Sequence, residues 1–226
     1  MLNSIICIGD SITKGKVWKE NERRPYITEN SYPEILGDLI DKMVINEGIC
    51  DLTSEQMLEQ LNGEIKIENG STVLIEIGGN DSTPKWREVR RDPYGFHDAT
   101  VPIDRFKKNL TDIIAKVSAC GAKPVLCTLP PVDADKYYNL LKRVFGEKIK
   151  IWIDNNGGIF KWQERFSDMV KVIAGATGTY FIDVRNAFMS SANYKKYIGF
   201  DGIHPNEDGY RLIADTCSTN LKALLC

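Results

Sequence analysis

Short apolar runs closed by glycine, asparagine or proline alternate along this chain with longer stretches whose apolar residues recur every three or four positions. The short runs, Ser4–Ile8, Met43–Ile45, Thr72–Ile77, Pro124–Leu129 and Tyr180–Asp183, read as strands. Tyr32–Lys42 carries Ile35, Leu36, Leu39 and Ile40, and Asp104–Ala119 carries Phe106, Leu110, Ile113, Ile114 and Val117, so both read as amphipathic helices. Lys161–Ala174 (Phe166, Met169, Val170, Ile173) and Glu207–Leu225 (Tyr210, Ile213, Ala214, Cys217, Leu221, Leu224) follow the same rule. Strands alternating with helices predict an α/β fold, a parallel sheet covered on both faces, with ligands collecting at the carboxyl ends of the strands.

Three connections are longer than usual: Lys14–Ser31, Ser82–Pro102 and Pro130 to about Lys150. Each follows a strand, which puts all three at the ligand-binding end. The first mixes Lys16, Lys19, Arg23 and Arg24 with Glu20 and Glu22. The second gathers Trp86, Arg87, Arg90, Arg91, Tyr94 and Phe96, and the third holds Tyr137 and Tyr138 with Trp152 just beyond. Two readings stay open, a surface for a sugar ring or anionic headgroup and a solvated rim with a few packed aromatics. His97 reads as a locally hydrogen-bonded loop residue.

At 226 residues, with ordinary hydrophobic and charged fractions, the chain predicts a single soluble domain spanning 1–226. A net charge of −2 gives no global field for nucleic acid or an anionic membrane. No apolar stretch approaches a membrane span, and no basic segment precedes the first strand, so no signal peptide is read. Cys7, Cys50, Cys120, Cys127, Cys217 and Cys226 form no Cys-x-x-Cys pair and no zinc spacing. Read as reduced, buried thiols, they fit a cytoplasmic protein.

The candidate chemistry lies where strands end. Gly9-Asp10-Ser11 follows the first run and sets a serine where a buried strand opens, while Asp201-Gly202-Ile203-His204-Pro205 supplies a carboxylate and an imidazole on one short loop. Serine, histidine and aspartate are the parts of an acyl-transfer triad. Each piece has a plainer reading, Ser11 as a helix N-cap and Asp201 as a turn or capping residue beside a packed histidine. A third block, Gly78-Gly79-Asn80-Asp81, ends another strand, and Asn80 can aim its amide at an oxyanion.

Together these blocks resemble the SGNH hydrolases, also called GDSL-like lipases and acylhydrolases. The resemblance implies a three-layer α/β/α sandwich around a central parallel sheet of about five strands, the flavodoxin-like arrangement. It implies Ser11 as nucleophile, His204 as general base, Asp201 as the residue orienting His204, and Asn80 and the Ser11 N–H as oxyanion donors. A further donor in the family is the N–H of the second glycine in Asn-x-Gly-x-x-Gly-x-Thr; here the stretch is Asn46-Glu47-Gly48-Ile49-Cys50-Asp51-Leu52-Thr53, and that glycine is Asp51. The N–H survives the replacement, but a carboxylate beside an oxyanion would oppose it unless turned away or paired. Gly48 reads as a backbone turn.

The chemistry needs no metal or organic cofactor, and its partner is a small-molecule acyl ester. Ser11, with His204 taking its proton, would form an acyl-enzyme that water then hydrolyses. A short-chain or O-acetyl ester is the reading preferred here. A thioesterase or lysophospholipase, or a silent binding protein of the same fold, stays open. A phosphate-binding loop is excluded: five residues separate Gly9 from Gly15 where four are needed, and Val17 stands where a hydroxyl would hold magnesium.

Overall fold

The computed structural model describes residues 4–22 and 24–225. In chain order the elements are β1 (Ile5–Gly9), α1 (Ser11–Lys14), β2 (Lys16–Val17), β3 (Tyr26–Ile27), α2 (Tyr32–Leu39), β4 (Val44–Gly48), α3 (Ser54–Gln60), β5 (Thr72–Glu76), α4 (Gly79–Ser82) and α5 (Trp86–Arg91). There follow α6 (Ile103–Ala119), β6 (Lys123–Cys127), α7 (Ala134–Phe145), α8 (Ile149–Asn155), α9 (Ile159–Thr177), β7 (Tyr180–Ile182), α10 (Val184–Met189) and α11 (Glu207–Leu225).

The main sheet has the order β4-β1-β5-β6-β7, and every neighbouring pair is parallel. Its residues alternate between two cores, as strand geometry requires. Ile6, Ile8, Val73 and Ile75 face α6 and α9 through Phe106, Ile113, Phe166 and Ile173. Ile5, Cys7, Leu74 and Val125 face α2 and α11 through Tyr32, Leu36, Tyr210 and Ile213. Helices therefore cover both faces of a parallel sheet. The chain reverses its direction of winding between β1 and β5, so the crevice beyond their carboxyl ends is the switch point where ligands bind in doubly wound sheets.

The differences from expectation have local causes. β4 runs on to Gly48 because it is an edge strand, where half-buried Asn46 and Glu47 carry no apolar signal. α3 has little buried surface but a capping box, in which Thr53 and Gln56 satisfy each other's backbone N–H groups. The long connections are not bare loops. The first holds the β2–β3 hairpin, the second α5, and the third α7, capped by Asp133 through the N–H groups of Asp135 and Lys136.

Cysteine burial needs correcting at two positions. Cys7, Cys127 and Cys217 are buried, but Cys50 and Cys120 are exposed. Cys226 and Arg23 lie outside the described residues. Among the described residues no helix is long and apolar enough to cross a membrane.

Candidate functional site

β1 delivers Ser11 into the switch-point crevice. Gly9, at the end of the strand, has no room for a side chain, since a Cβ there would stand 2.0 Å from Thr13 Oγ1 and 2.4 Å from the Glu76 carbonyl oxygen. That close approach lets the chain turn directly into α1. The N-cap of α1 is Asp10, whose Oδ1 accepts the Ile12 N–H at 2.9 Å. Ser11 is therefore the first helical residue and not the cap, which leaves its hydroxyl free for another partner.

That partner is His204. Ser11 Oγ lies 2.9 Å from His204 Nε2, and His204 Nδ1 lies 2.5 Å from Asp201 Oδ2. All three side chains are nearly enclosed, with Ser11 5%, Asp201 2% and His204 7% exposed. Asp201 also makes the turn expected of it: its Oδ1 accepts the N–H groups of Ile203 (2.9 Å) and His204 (3.0 Å). The turn and the relay coexist because they use different carboxylate oxygens. Capping of α11 falls instead to Asn206, whose Oδ1 accepts the Gly209 N–H.

Burial pushes the Asp201 carboxyl up, but the His204 ring and the two backbone N–H groups outweigh it and hold the group below its ordinary value. An ionised Asp201 keeps the proton on Nδ1 and leaves Nε2 able to accept from Ser11. The loop is pinned from both sides. Gly199 N–H donates to the His204 carbonyl, and Asp133 N–H donates to the Gly202 carbonyl, both at 2.8 Å. Gly202 has φ 78°, and a Cβ there would meet Tyr137 N at 2.4 Å, so this glycine is needed for both its backbone and its lack of bulk.

Asn80, just beyond β5, donates through Nδ2 to the Leu52 carbonyl at 2.9 Å and faces Asp10 Oδ2 at 3.4 Å. The loops after β4 and β5 are bolted together by Asp81, which accepts both the N–H and the hydroxyl of Ser54. Asn109 Nδ2 in turn donates to Ser54 Oγ at 2.9 Å. Asp51 has φ 62°, the only positive φ at a non-glycine among the described residues. The backbone there keeps the left-handed shape that a glycine favours, which aspartate tolerates better than most side chains. Its carboxylate is 80% exposed and lies 3.5 Å from Lys16 Nζ. Among the described residues, neither the Ser11 nor the Asp51 backbone N–H has an acceptor. Gly48 is not a turn. It ends β4 where a Cβ would stand 2.3 Å from Lys14 N, so its role is close packing of β4 on α1.

Three buried acids support this arrangement, and the sequence reading gave none of them a role, although Asp10 and Asp81 stand in two of its blocks. Asp10 and Asp81 are each pushed up to about 6 by burial, against hydrogen bonds from Ile12 and Ser54 respectively. Glu76, at the end of β5, is pushed well above the carboxylate range by burial and by Asp10. Its Oε1 is buried without a hydrogen-bond partner among the described residues, so the neutral acid is the favoured form. The one available signal was an acid closing an otherwise apolar strand.

A raised folded pKa means that the unfolded chain loses its proton first as pH rises, so stability falls from the unfolded pKa up to the folded one. Glu76→Gln removes that slope at one site. Thermal melts should therefore show Glu76→Gln more stable than wild type at pH 8, with the gap closing towards pH 4.5. Each kcal/mol corresponds to roughly 2–4 °C in a chain of this size.

A cavity of about 280 Å³ opens over Ser11 and His204, with Asp51, Asn80, Lys16 and Trp18 in its wall. The three long connections all reach it, through Trp18, Thr83 and Tyr137. Other candidates stay outside: Arg87, Arg90 and Arg91 line a separate surface cleft, Tyr94 and Phe96 are exposed, and His97 Nε2 is bound to the Asp92 carbonyl. Among the described residues no cluster of three or more His, Cys, Asp or Glu is placed to hold a metal ion.

The sequence profile of the GDSL-like Lipase/Acylhydrolase family matches residues 7–212. "Thioesterase 1/protease 1/lysophospholipase L1" of Escherichia coli (strain K12) is 23% identical over 225 residues, covering 99% of this chain and 85% of that protein. A lipase/acylhydrolase from Enterococcus faecalis superposes with TM-score 0.66 at 20% identity, covering 98% of this chain and 96% of that one. Axe2, an acetylxylan esterase from Geobacillus stearothermophilus, superposes with TM-score 0.62 at 18% identity, covering 95% and 91%.

Proposed function

Since the chain belongs to the GDSL-like lipase/acylhydrolase family, we propose that it is a serine esterase that cleaves a small acyl ester through an acyl-enzyme. The observation that carries this reading is the hydrogen-bonded line from Ser11 Oγ through His204 to Asp201. In it, His204 Nε2 takes the hydroxyl proton as Ser11 Oγ attacks the ester carbonyl, and Asp201 steadies the imidazolium that results. The oxyanion is received by the N–H groups of Ser11 and Asp51 and by Asn80. His204 then gives its proton to the departing alcohol, and water repeats the sequence on the acyl-enzyme to release the acid.

Asn80 Nδ2 has two protons; the Leu52 carbonyl holds one at 2.9 Å, and the other, on a long 3.4 Å contact to Asp10 Oδ2, is the one that turns to the oxyanion. The exposed, Lys16-paired carboxylate of Asp51 removes the main objection to that residue, because its charge is screened by solvent instead of facing the reaction. These two donors should respond differently to mutation. Asn80→Ala should lower kcat about 100- to 1,000-fold. Asp51→Gly keeps its N–H and should stay within about fivefold of wild type, since an exposed ion pair is worth only ~1 kcal/mol. Steady-state kinetics on one ester separates the two outcomes; a loss at Asp51→Gly as large as at Asn80→Ala would place the carboxylate itself in the reaction.

The substrate reading is a short-chain or O-acetyl ester, in keeping with a confined cavity and with the acetylxylan esterase named above. A thioester would fit the same nucleophile and base, and the Escherichia coli relative keeps that second reading in view. The test is hydrolysis of p-nitrophenyl acetate, butyrate and octanoate, with parallel labelling by a fluorophosphonate probe read by intact mass. Turnover together with a single adduct supports the reading. If the folded protein neither cleaves an ester nor takes up the probe, the reading fails and a binding function replaces it.

A further inference from the structure

Behind the pocket over Ser11 lies a second, more enclosed cavity of about 50 Å³. The two share five wall residues, Ile12, Gly79, Thr83, Tyr137 and Ile203. Ile12 directly follows Ser11 and Gly79 directly precedes Asn80, so the wall the two cavities share adjoins the proposed nucleophile and its oxyanion side chain. Its far wall is apolar, built from Leu129, Val132, Trp86, Trp152, Ile153 and Trp162.

The three tryptophans form a rigid stack. Trp152 packs edge to face on Trp86 (5.8 Å between centroids, 88°) and on Trp162 (4.8 Å, 69°). Trp86 Nε1 donates to Tyr137 Oη at 3.3 Å and Trp162 Nε1 donates to the Ser82 carbonyl at 2.6 Å, so both outer rings are held at their polar ends. The polar groups in the wall are spent or neutral. Gln163 donates to the Pro130 carbonyl and accepts from Arg185, and Glu76 is held in its neutral form by burial and by Asp10. Nothing there answers a charge.

We propose that this inner cavity receives the acyl chain of the substrate and that Trp152, backed by Trp86 and Trp162, limits it to about four carbons. The inference rests on the esterase reading above and deepens it. Size decides the limit. A single water fills roughly 10–15 Å³, while a cavity of about 150 Å³ holds a benzene ring. A space of about 50 Å³ lies between them and takes a few methylene groups but no ring or long chain. The alcohol side of the ester then faces the outer pocket, where Lys16 and Trp18 stand.

The experiment measures kcat/KM for p-nitrophenyl esters of two, four, six, eight and ten carbons on wild type, Trp152→Ala, Trp152→Leu and Val132→Phe. Wild type should favour two to four carbons and fall at least about tenfold by eight, the scale on which an apolar pocket discriminates by methylene count. Trp152→Ala should raise the octanoate-to-butyrate ratio about tenfold, and Trp152→Leu should raise it less. Val132→Phe should move the ratio the other way, towards acetate. Trp152→Leu removes less volume and serves if Trp152→Ala does not fold.

A wild type that prefers octanoate overturns the proposal. So does a folded Trp152 variant whose profile matches wild type. Failure of the esterase reading looks different: wild type then cleaves no ester and takes no fluorophosphonate, and the acyl pocket falls with it.

Discussion

Ser11→Ala should lower kcat/KM for p-nitrophenyl butyrate by at least about 10⁴-fold and abolish the fluorophosphonate adduct. The loss follows from removing the only oxygen within hydrogen-bond reach of His204 Nε2 among the described residues, so no second nucleophile can take its place. The surroundings should hardly change. Asp10, not Ser11, caps α1, and alanine keeps the backbone N–H assigned to the oxyanion. The buried hydroxyl makes one side-chain hydrogen bond, worth about 1 kcal/mol, so the melting temperature should stay within roughly 2–4 °C of wild type. Residual hydrolysis would then report what the oxyanion donors achieve alone. Labelling of the alanine variant at full stoichiometry would move the nucleophile elsewhere.

Asp201→Asn is expected to cost nearly as much, about 10⁴-fold in kcat, with the loop intact. The two carboxylate oxygens have separate tasks here. Oδ1 accepts the N–H groups of Ile203 and His204 and makes the turn, while Oδ2 faces His204 Nδ1. Asparagine can keep an oxygen in the first place, but only by putting its NH₂ in the second. That group donates to Nδ1 and forces the proton onto Nε2, the tautomer that cannot accept from Ser11. Kinetics should therefore show a collapse in kcat with little change in KM. NMR of the His204 ring nitrogens should show the exchanged tautomer. A variant with the wild-type tautomer and full activity would remove Asp201 from the mechanism.

Taken together, the two substitutions probe opposite sides of one imidazole. Because the three residues act as a unit, the double variant should lose little beyond the worse single one. Additive losses would mean that Asp201 works by some route other than His204.

Much of this protein is written locally in its chain. Alternating residues such as Ile5 and Ile6 face opposite cores, and three- and four-residue spacing puts Phe106, Leu110 and Ile113 on one side of α6. Those periods follow from strand and helix geometry, so they are legible without a partner in view. Ser11, Asn80 and the Asp201–His204 pair each sit in a short block with a plainer reading of its own, and only the blocks together, through their resemblance to the family, marked them as candidates.

What the tertiary structure alone decided depends on residues that are distant in sequence. Asp81 meets Ser54, which Asn109 holds from a third segment, and the Asp51 carboxylate is turned out to solvent near Lys16 on a left-handed backbone. The inner cavity is walled by Trp86, Trp152 and Trp162, of which the first two read from the sequence only as aromatics in or near long connections; the packing of α5, α8 and α9 is what brings the three rings together. Periodicity says which face of an element leaves water, but not which other face it meets or how closely the two fit. The residue alternation thus determined the sheet and its helices, while the packing between separate elements determined the shape of the site.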